Sequence, residues 1–169
     1  MTKKIQNIIN HYVRWRNANP DSWIQYTNNQ DDLISAIRVA SMSENHLGKR
    51  NNHQRRLKKK DLKYFTKNLM KKEAEIRTSG KFEKLLTIVE SCKVKGNGEL
   101  TCYDVANRIG CKIGVYPKKV YLHAGTKKGA ERLLGFKIRK KHIEKIGFTR
   151  PFKRLIIDLC RNRRYFMYL

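Results

Sequence analysis

Apolar residues recur along this chain at intervals of three and four, the period of a helix with one buried face. Ile5, Ile8, Ile9, Tyr12 and Val13 form the first such stripe, and Pro20 marks its stop. Asp31 is placed to cap a second helix bearing Leu33, Ile34, Ile37 and Ala40. Residues 45–60 are polar and basic and read as a loop or a helix end. Leu62, Phe65, Leu69 and Ile76 trace a third helix, broken by Ser79-Gly80, and Phe82, Leu85, Leu86 and Val89 trace a fourth. Val94 to Gly98 is a tight connection. Leu100, Val105, Ala106 and Ile109 then lead a fifth helix to Gly110 or Gly114, and Val115-Tyr116-Pro117 breaks it. Val120-Tyr121-Leu122 is the only strand-like run, too short to found a sheet. Thr126 is placed to cap a helix ending at Gly135, and a short helix ends near Gly147. Thr149-Arg150-Pro151 opens a last helix, with Pro in its first turn and Phe152, Leu155, Ile156 and Leu159 on its apolar face. There is no internal repeat and no low-complexity linker. The pattern predicts an all-α, multi-helix single domain spanning 1–169, with a basic helical extension over 136–169.

Charge sharpens this picture. The 169 residues suffice for a real core, yet 39 Lys and Arg face 14 Asp and Glu, a formal net charge of +25. Self-repulsion of that size opposes compaction, and a polyanionic partner relieves it by releasing condensed counterions. Two runs concentrate the charge. Lys49 to Lys72 holds eleven Lys or Arg against the single acid Asp61, and Lys127 to Arg164 holds fourteen against three acids. No stretch approaches the length of a spanning helix. Met1 to Asn7 contains no apolar signal core, so the sequence is read as cytoplasmic, perhaps-nucleoid placement being compatible with its charge. Cys92, Cys102, Cys111 and Cys160 form no Cys-x-x-Cys pair and read as small buried hydrophobes. His46 and His53 lie seven apart with no second ligand pair, so neither a metal nor a cofactor is expected.

The most informative segment is 82–113. An amphipathic helix ends at Ser91-Cys92, then Val94-Lys95-Gly96-Asn97-Gly98-Glu99-Leu100-Thr101 leads directly into the next helix. Two glycines one residue apart suit a sharp turn in conformations closed to other residues, and they let backbone amides approach a ligand. A helix N-terminus immediately afterwards presents unpaired N–H groups and the positive end of the dipole, a combination that suits a phosphate. The arrangement resembles the helix-hairpin-helix element of the DNA glycosylases and AP lyases: helix, apolar residue, one residue, Gly-x-Gly, two residues, Thr. Downstream, Tyr116-Pro117-Lys118-Lys119-Val120-Tyr121-Leu122-His123 occupies the place of that superfamily's Pro-containing turn and His-bearing apolar stretch. Upstream, Asp31 to Ser43 looks like an early helix of the same fold. The resemblance covers roughly residues 30–135. It implies an all-helical fold whose hairpin grips the phosphates of one DNA strand, with Lys93, Lys95, Gly96, Asn97, Gly98 and Thr101 as its contacts. The sequence also departs from the family. Leu100 stands where strand-cleaving members carry a lysine, and Tyr121 stands near the expected aspartate. The resemblance therefore implies either catalysis by other residues or binding without cutting.

Candidate replacements for the missing chemistry are Asp104, held toward a cleft floored by Tyr121 and His123. Asp104 also reads as an i to i+4 partner of Arg108, and Glu99 as a complement to the helix dipole. Arg50-Asn51-Asn52-His53-Gln54-Arg55-Arg56 is rich in groups that meet phosphates and base edges, so Arg50, His53, Arg55 and Arg56 are candidate nucleic-acid contacts. His53 beside Arg50 also fits a metal-free ribonuclease loosely. Lys127 and Lys128, in Gly125-Thr126-Lys127-Lys128-Gly129, add a further phosphate contact. Tyr12 and Phe65 fall at core spacing, whereas Trp15 and Tyr165 are candidates for stacking on bases. The expected partner is nucleic acid, DNA before RNA, with no membrane. The other classes are a non-enzymatic coat or inhibitor that meets an acidic protein surface, and an RNA binder or ribonuclease.

Overall fold

The computed structural model of the chain describes residues 3–52, 54–118, 120–121, 127–128, 131, 137 and 142–143. The fold is all-α. Its contacts gather into two units, one of residues 21–117 and one of residues 1–20 with 118–169.

The first unit holds six helices: α2 (Ser22–Asn28), α3 (Leu33–Met42), α4 (Lys59–Met70), α5 (Glu73–Arg77), α6 (Phe82–Ser91) and α7 (Glu99–Lys112). α7 packs against α2, α3 and α6, and α4 packs against α3. Between them lie fully buried Ile37, Leu62, Phe65, Leu69, Phe82, Leu85, Val89, Val105 and Ile109. Phe82 of α6 meets Tyr103 of α7 edge to face, with ring centroids 5.6 Å apart.

Local chemistry explains where these helices begin and end. α2, absent from the periodicity reading, starts because the Asp21 carboxylate after Pro20 accepts the amides of Trp23 and Ile24 at 3.1 and 3.2 Å. α3 is capped by Asp32 rather than Asp31, through the Ser35 amide at 2.7 Å. That bond holds the Asp32 carboxyl below the usual carboxylate range. The expected third helix is two helices. Lys71 and Lys72 follow one helix end, and Glu73 and Glu75 open the next, the charge order that two successive macrodipoles favour. The fifth helix runs past Gly110 to Lys112 and ends with Gly114 at φ 73°. There the Val115 amide reaches back to the Gly110 carbonyl at 2.7 Å, closing a Schellman turn.

The second unit contains α1 (Lys3–Ala18), in which Tyr12 is buried and its ring lies 6.5 Å from that of Trp15. Val120–Tyr121 forms β1, paired antiparallel with β2 (His142–Ile143), Val120 opposite Ile143. The expected strand therefore has a partner, in a segment read from sequence as leading into a helix. Lys127, Lys128 and Glu131 are helical. The rest of the helix expected from Thr126 to Gly135, and the last helix from Thr149, lie outside the described residues. Among the described residues, no helix is long and apolar enough to cross a membrane.

Candidate nucleic-acid interface

The turn between α6 and α7 is built by short backbone bonds. The Lys93 amide donates to the Glu90 carbonyl at 3.2 Å, and the Asn97 amide to the Val94 carbonyl at 3.0 Å. Gly96 has φ 96°, a region where a side chain is strained. Gly98, by contrast, has φ −80° and ψ 171°, an extended conformation open to any residue. The expectation that both glycines serve backbone freedom is thus corrected: only Gly96 needs it. Gly98 is the N-cap of α7 and supplies no side-chain bond to it. The amides of a helix's first turn lack intrahelical acceptors, and at Gly98 an added Cβ would meet nothing within 4 Å. The surface above them is open.

Lys93 and Lys95 are exposed beside this turn. Asn97 and Thr101, the other expected contacts, are 7% and 8% exposed. Neither side-chain nitrogen nor oxygen of Asn97 has a hydrogen-bond partner, an expensive condition for a buried amide. Glu99 lies in the first turn of α7, where its charge complements the dipole as expected.

The basic loop of residues 44–58 is fixed from within. The Trp23 indole N–H donates to the carbonyls of Ser43 and Lys49 at 3.1 and 3.2 Å. Asn45 Oδ1 accepts the amides of Leu47 and Lys49, each at 3.0 Å. Arg50, expected as a phosphate contact, donates to the Leu57 carbonyl at 2.8 Å and the Arg55 carbonyl at 3.2 Å. It ties the loop together, while Arg55 and Arg56 stand exposed. His53 lies outside the described residues. The far end of the loop sits on the hairpin: a Cβ added to Gly96 would lie 4.0 Å from Leu57 Cδ2.

Behind the loop lies a buried polar hub that the sequence reading missed. Arg108, expected to pair with Asp104, is 4% exposed and reaches across to α3 and the loop. Nη1 donates to the Ala40 carbonyl and Ser43 Oγ at 3.0 Å, and both terminal nitrogens donate to Gln54 Oε1 at 3.2 Å. Ser43, at φ 59°, is held in the left-handed region. Its carbonyl also accepts the Asn51 amide at 3.0 Å. The sequence signal was present: an arginine one turn after an aspartate, on a helix otherwise apolar on every side.

α4 presents the opposite surface. Leu62, Phe65, Thr66 and Leu69 face the core, while Lys59, Lys63 and Lys67 stand exposed at four-residue spacing and Lys71 continues the row. Like charges at i and i+4 destabilise a helix by about 0.2–0.5 kcal/mol per pair.

The three candidate catalytic residues are not gathered in one unit. Asp104 is 2% exposed on α7, Tyr121 lies in β1 of the other unit, and His123 lies outside the described residues. Lys127 is half-buried and Lys128 exposed. Among the described cysteines, Cys92 and Cys102 are buried thiols. Burial raises both, Cys102 to about 11, which leaves them protonated and unreactive at neutral pH. Among the described residues no group of three or more His, Cys, Asp or Glu comes together to hold a metal ion. Comparison with protein-family models, curated proteins and solved structures finds no match to this chain.

Proposed function

We propose that this protein binds nucleic acid, gripping the phosphates of a DNA duplex at the α6–α7 turn. The observation that supports this reading is the seating of the basic loop against that turn, through Leu57 and Gly96. Exposed Lys93, Lys95, Arg55 and Arg56 thereby flank a helix N-terminus whose N-cap residue is a bare glycine. Backbone amides, a dipole and mobile cations are three independent attractions for a phosphate, and they add. The resemblance to the helix-hairpin-helix glycosylases supplies the same mode of grip. Leu100 and Tyr121 replace that family's cleavage groups, so the favoured activity is binding without base excision or strand scission.

The test is a labelled duplex, plain or carrying uracil, an alkylated base or an abasic site, resolved on a native gel and, after alkali, on a denaturing gel. The expected result is binding that falls steeply with salt, about −0.9 in log K per neutralised phosphate, without breaks. Gly98→Val keeps an allowed backbone and covers the amides, so it should weaken binding while the far-ultraviolet spectrum stays unchanged. Unaltered affinity in Gly98→Val, with loss on neutralising Arg55 and Arg56, would remove the hairpin from the reading. Alkali-dependent breaks at a modified base would instead establish an enzyme.

A further inference from the structure

The row of lysines on α4 borders an open-sided groove of about 820 Å³ between α3 and α4. Its floor carries Tyr26, Ile34, Met42 and Met70, and its walls carry Arg38 with Lys59, Lys63, Lys67 and Lys71. Glu44 is the one acid that lines it. None of these five cations makes an ion pair among the described residues, whereas Lys72 and Arg77 of the neighbouring segment pair with Glu75 and Glu73. A surface that leaves five cations unneutralised around an apolar floor has two demands, one for regularly spaced anions and one for flat or adaptable apolar groups.

We infer that this groove holds an unpaired nucleic-acid strand, its phosphates on the lysine row and its bases on the floor. This rests on the reading that the chain binds nucleic acid, and it adds a second site with a different substrate form. Four residues of helix advance about 6 Å, so the lysines offer one cation per step along a backbone that carries one phosphate per nucleotide. Tyr26 offers an aromatic edge or face for stacking, which tolerates any base. Met42 and Met70 are unbranched and polarisable and adapt to bases of different size. A duplex hides its base faces and cannot use such a floor. An acidic amphipathic helix would also satisfy a groove of mixed character. The cationic surface, however, runs beyond the groove through exposed Lys58, Lys60, Arg55 and Arg56, which suits a continuous polyanion better than a helix of groove length.

The experiment uses the full chain and fluorescence anisotropy with labelled oligothymidylate, oligouridylate and a mixed-sequence duplex. Three variants are compared: Lys63→Gln with Lys67→Gln, Tyr26→Ala, and Lys93→Gln with Lys95→Gln. The groove pair should weaken single-strand binding and reduce the magnitude of the salt slope by about 1.4, two contacts at about 0.7 each. Tyr26→Ala should weaken it about tenfold or more. Both should leave duplex binding nearly unchanged, and the hairpin pair should do the reverse. Photo-cross-linking of a thiothymidine-containing strand should label groove peptides. Single strands and duplexes bound equally by wild type and groove variants would overturn the groove site alone. Failure of the wild-type protein to bind either nucleic acid would overturn the parent reading and this one with it. Tighter competition by an acidic helical peptide, with its cross-links in the groove, would assign the groove to a protein partner instead. A preference between oligothymidylate and oligouridylate, with the groove variants weakening both, supports the site and names the strand it takes.

Discussion

α7 and α4 are helices of similar length in one unit, and they treat their polar residues in opposite ways. α7 is buried on nearly every side, from Thr101 to Gly110, with Asn107 half-exposed. Its Arg108 therefore meets acceptors at every terminal nitrogen for which hydrogen bonds are described. α4 buries one stripe and leaves its lysines in solvent without anions. A charge inside the protein must be satisfied by the protein, whereas a charge outside can wait for a ligand. The first helix organises the fold and the second is equipped for a partner. Removing a polar group should thus cost stability in α7 and cost binding in α4.

Arg108→Met gives the largest effect. It strips bonds from Ser43 Oγ, Gln54 Oε1 and the Ala40 carbonyl inside the unit and should cost about 3–5 kcal/mol. For a unit of this size that lowers the melting midpoint by at least roughly 10 °C, read by thermal denaturation. A midpoint within a degree or two of wild type would show that the hub is dispensable and that α7 and α4 do not differ as argued.

Alkali probes the same helix nearer the hairpin. The Cys102 thiol is fully buried and raised to about 11, chiefly by desolvation, from an ordinary value near 9.0. The folded form therefore keeps a proton that the unfolded chain releases. Its stabilising share is fully present below pH 9 and is lost as pH rises toward 11, about 2–3 kcal/mol across that window. Denaturant midpoints measured through it should fall more steeply for wild type than for Cys102→Ala. Parallel curves would mean that water reaches the inner face of α7 at this end.

Gly110→Ala should cost about 1–3 kcal/mol, the range for overpacking a tight interior. A Cβ there would lie 2.3 Å from the Val115 carbonyl oxygen, and that carbonyl belongs to the turn that closes the helix. Urea midpoints measure it, and an unchanged midpoint would place the close approach outside the constraints that matter.

What the sequence made legible follows from the same division. One-sided helices announce themselves: Leu62, Phe65 and Leu69 mark α4, and Leu85, Leu86 and Val89 mark α6, because alternating solvent and core leaves a period. α2 is too short to show one and is visible only through Asp21 after Pro20. The split between α4 and α5 lay in charge order at Lys71-Lys72 and Glu73-x-Glu75, a signal that apolar periodicity ignores. At the candidate site, the hairpin turn and the exposed Lys93 and Lys95 were readable. The inward use of Arg50 and the burial of Asn97 were not, because each depends on a segment that arrives from elsewhere in the chain. The groove had the same obstacle: its lysines are one run in sequence, but its floor comes from α2, α3 and α4.

The smallest effect is the sharpest test of the boundary between the two kinds of surface. Gly98 caps α7 without a side chain, in a conformation any residue accepts, and an added Cβ meets nothing. Asp at this N-cap can accept a first-turn amide and complement the dipole, so Gly98→Asp should raise stability by a few tenths of a kcal/mol. The same carboxylate would occupy and repel at the place proposed for a phosphate, so duplex affinity should fall even as the midpoint rises. A structural helix end improves or worsens as one thing. A binding end can gain stability and lose its ligand together, and that opposite movement is what the bare glycine predicts. If stability and affinity instead rose together, Gly98 would be an ordinary weak cap and the phosphate contact would lie with the lysines alone.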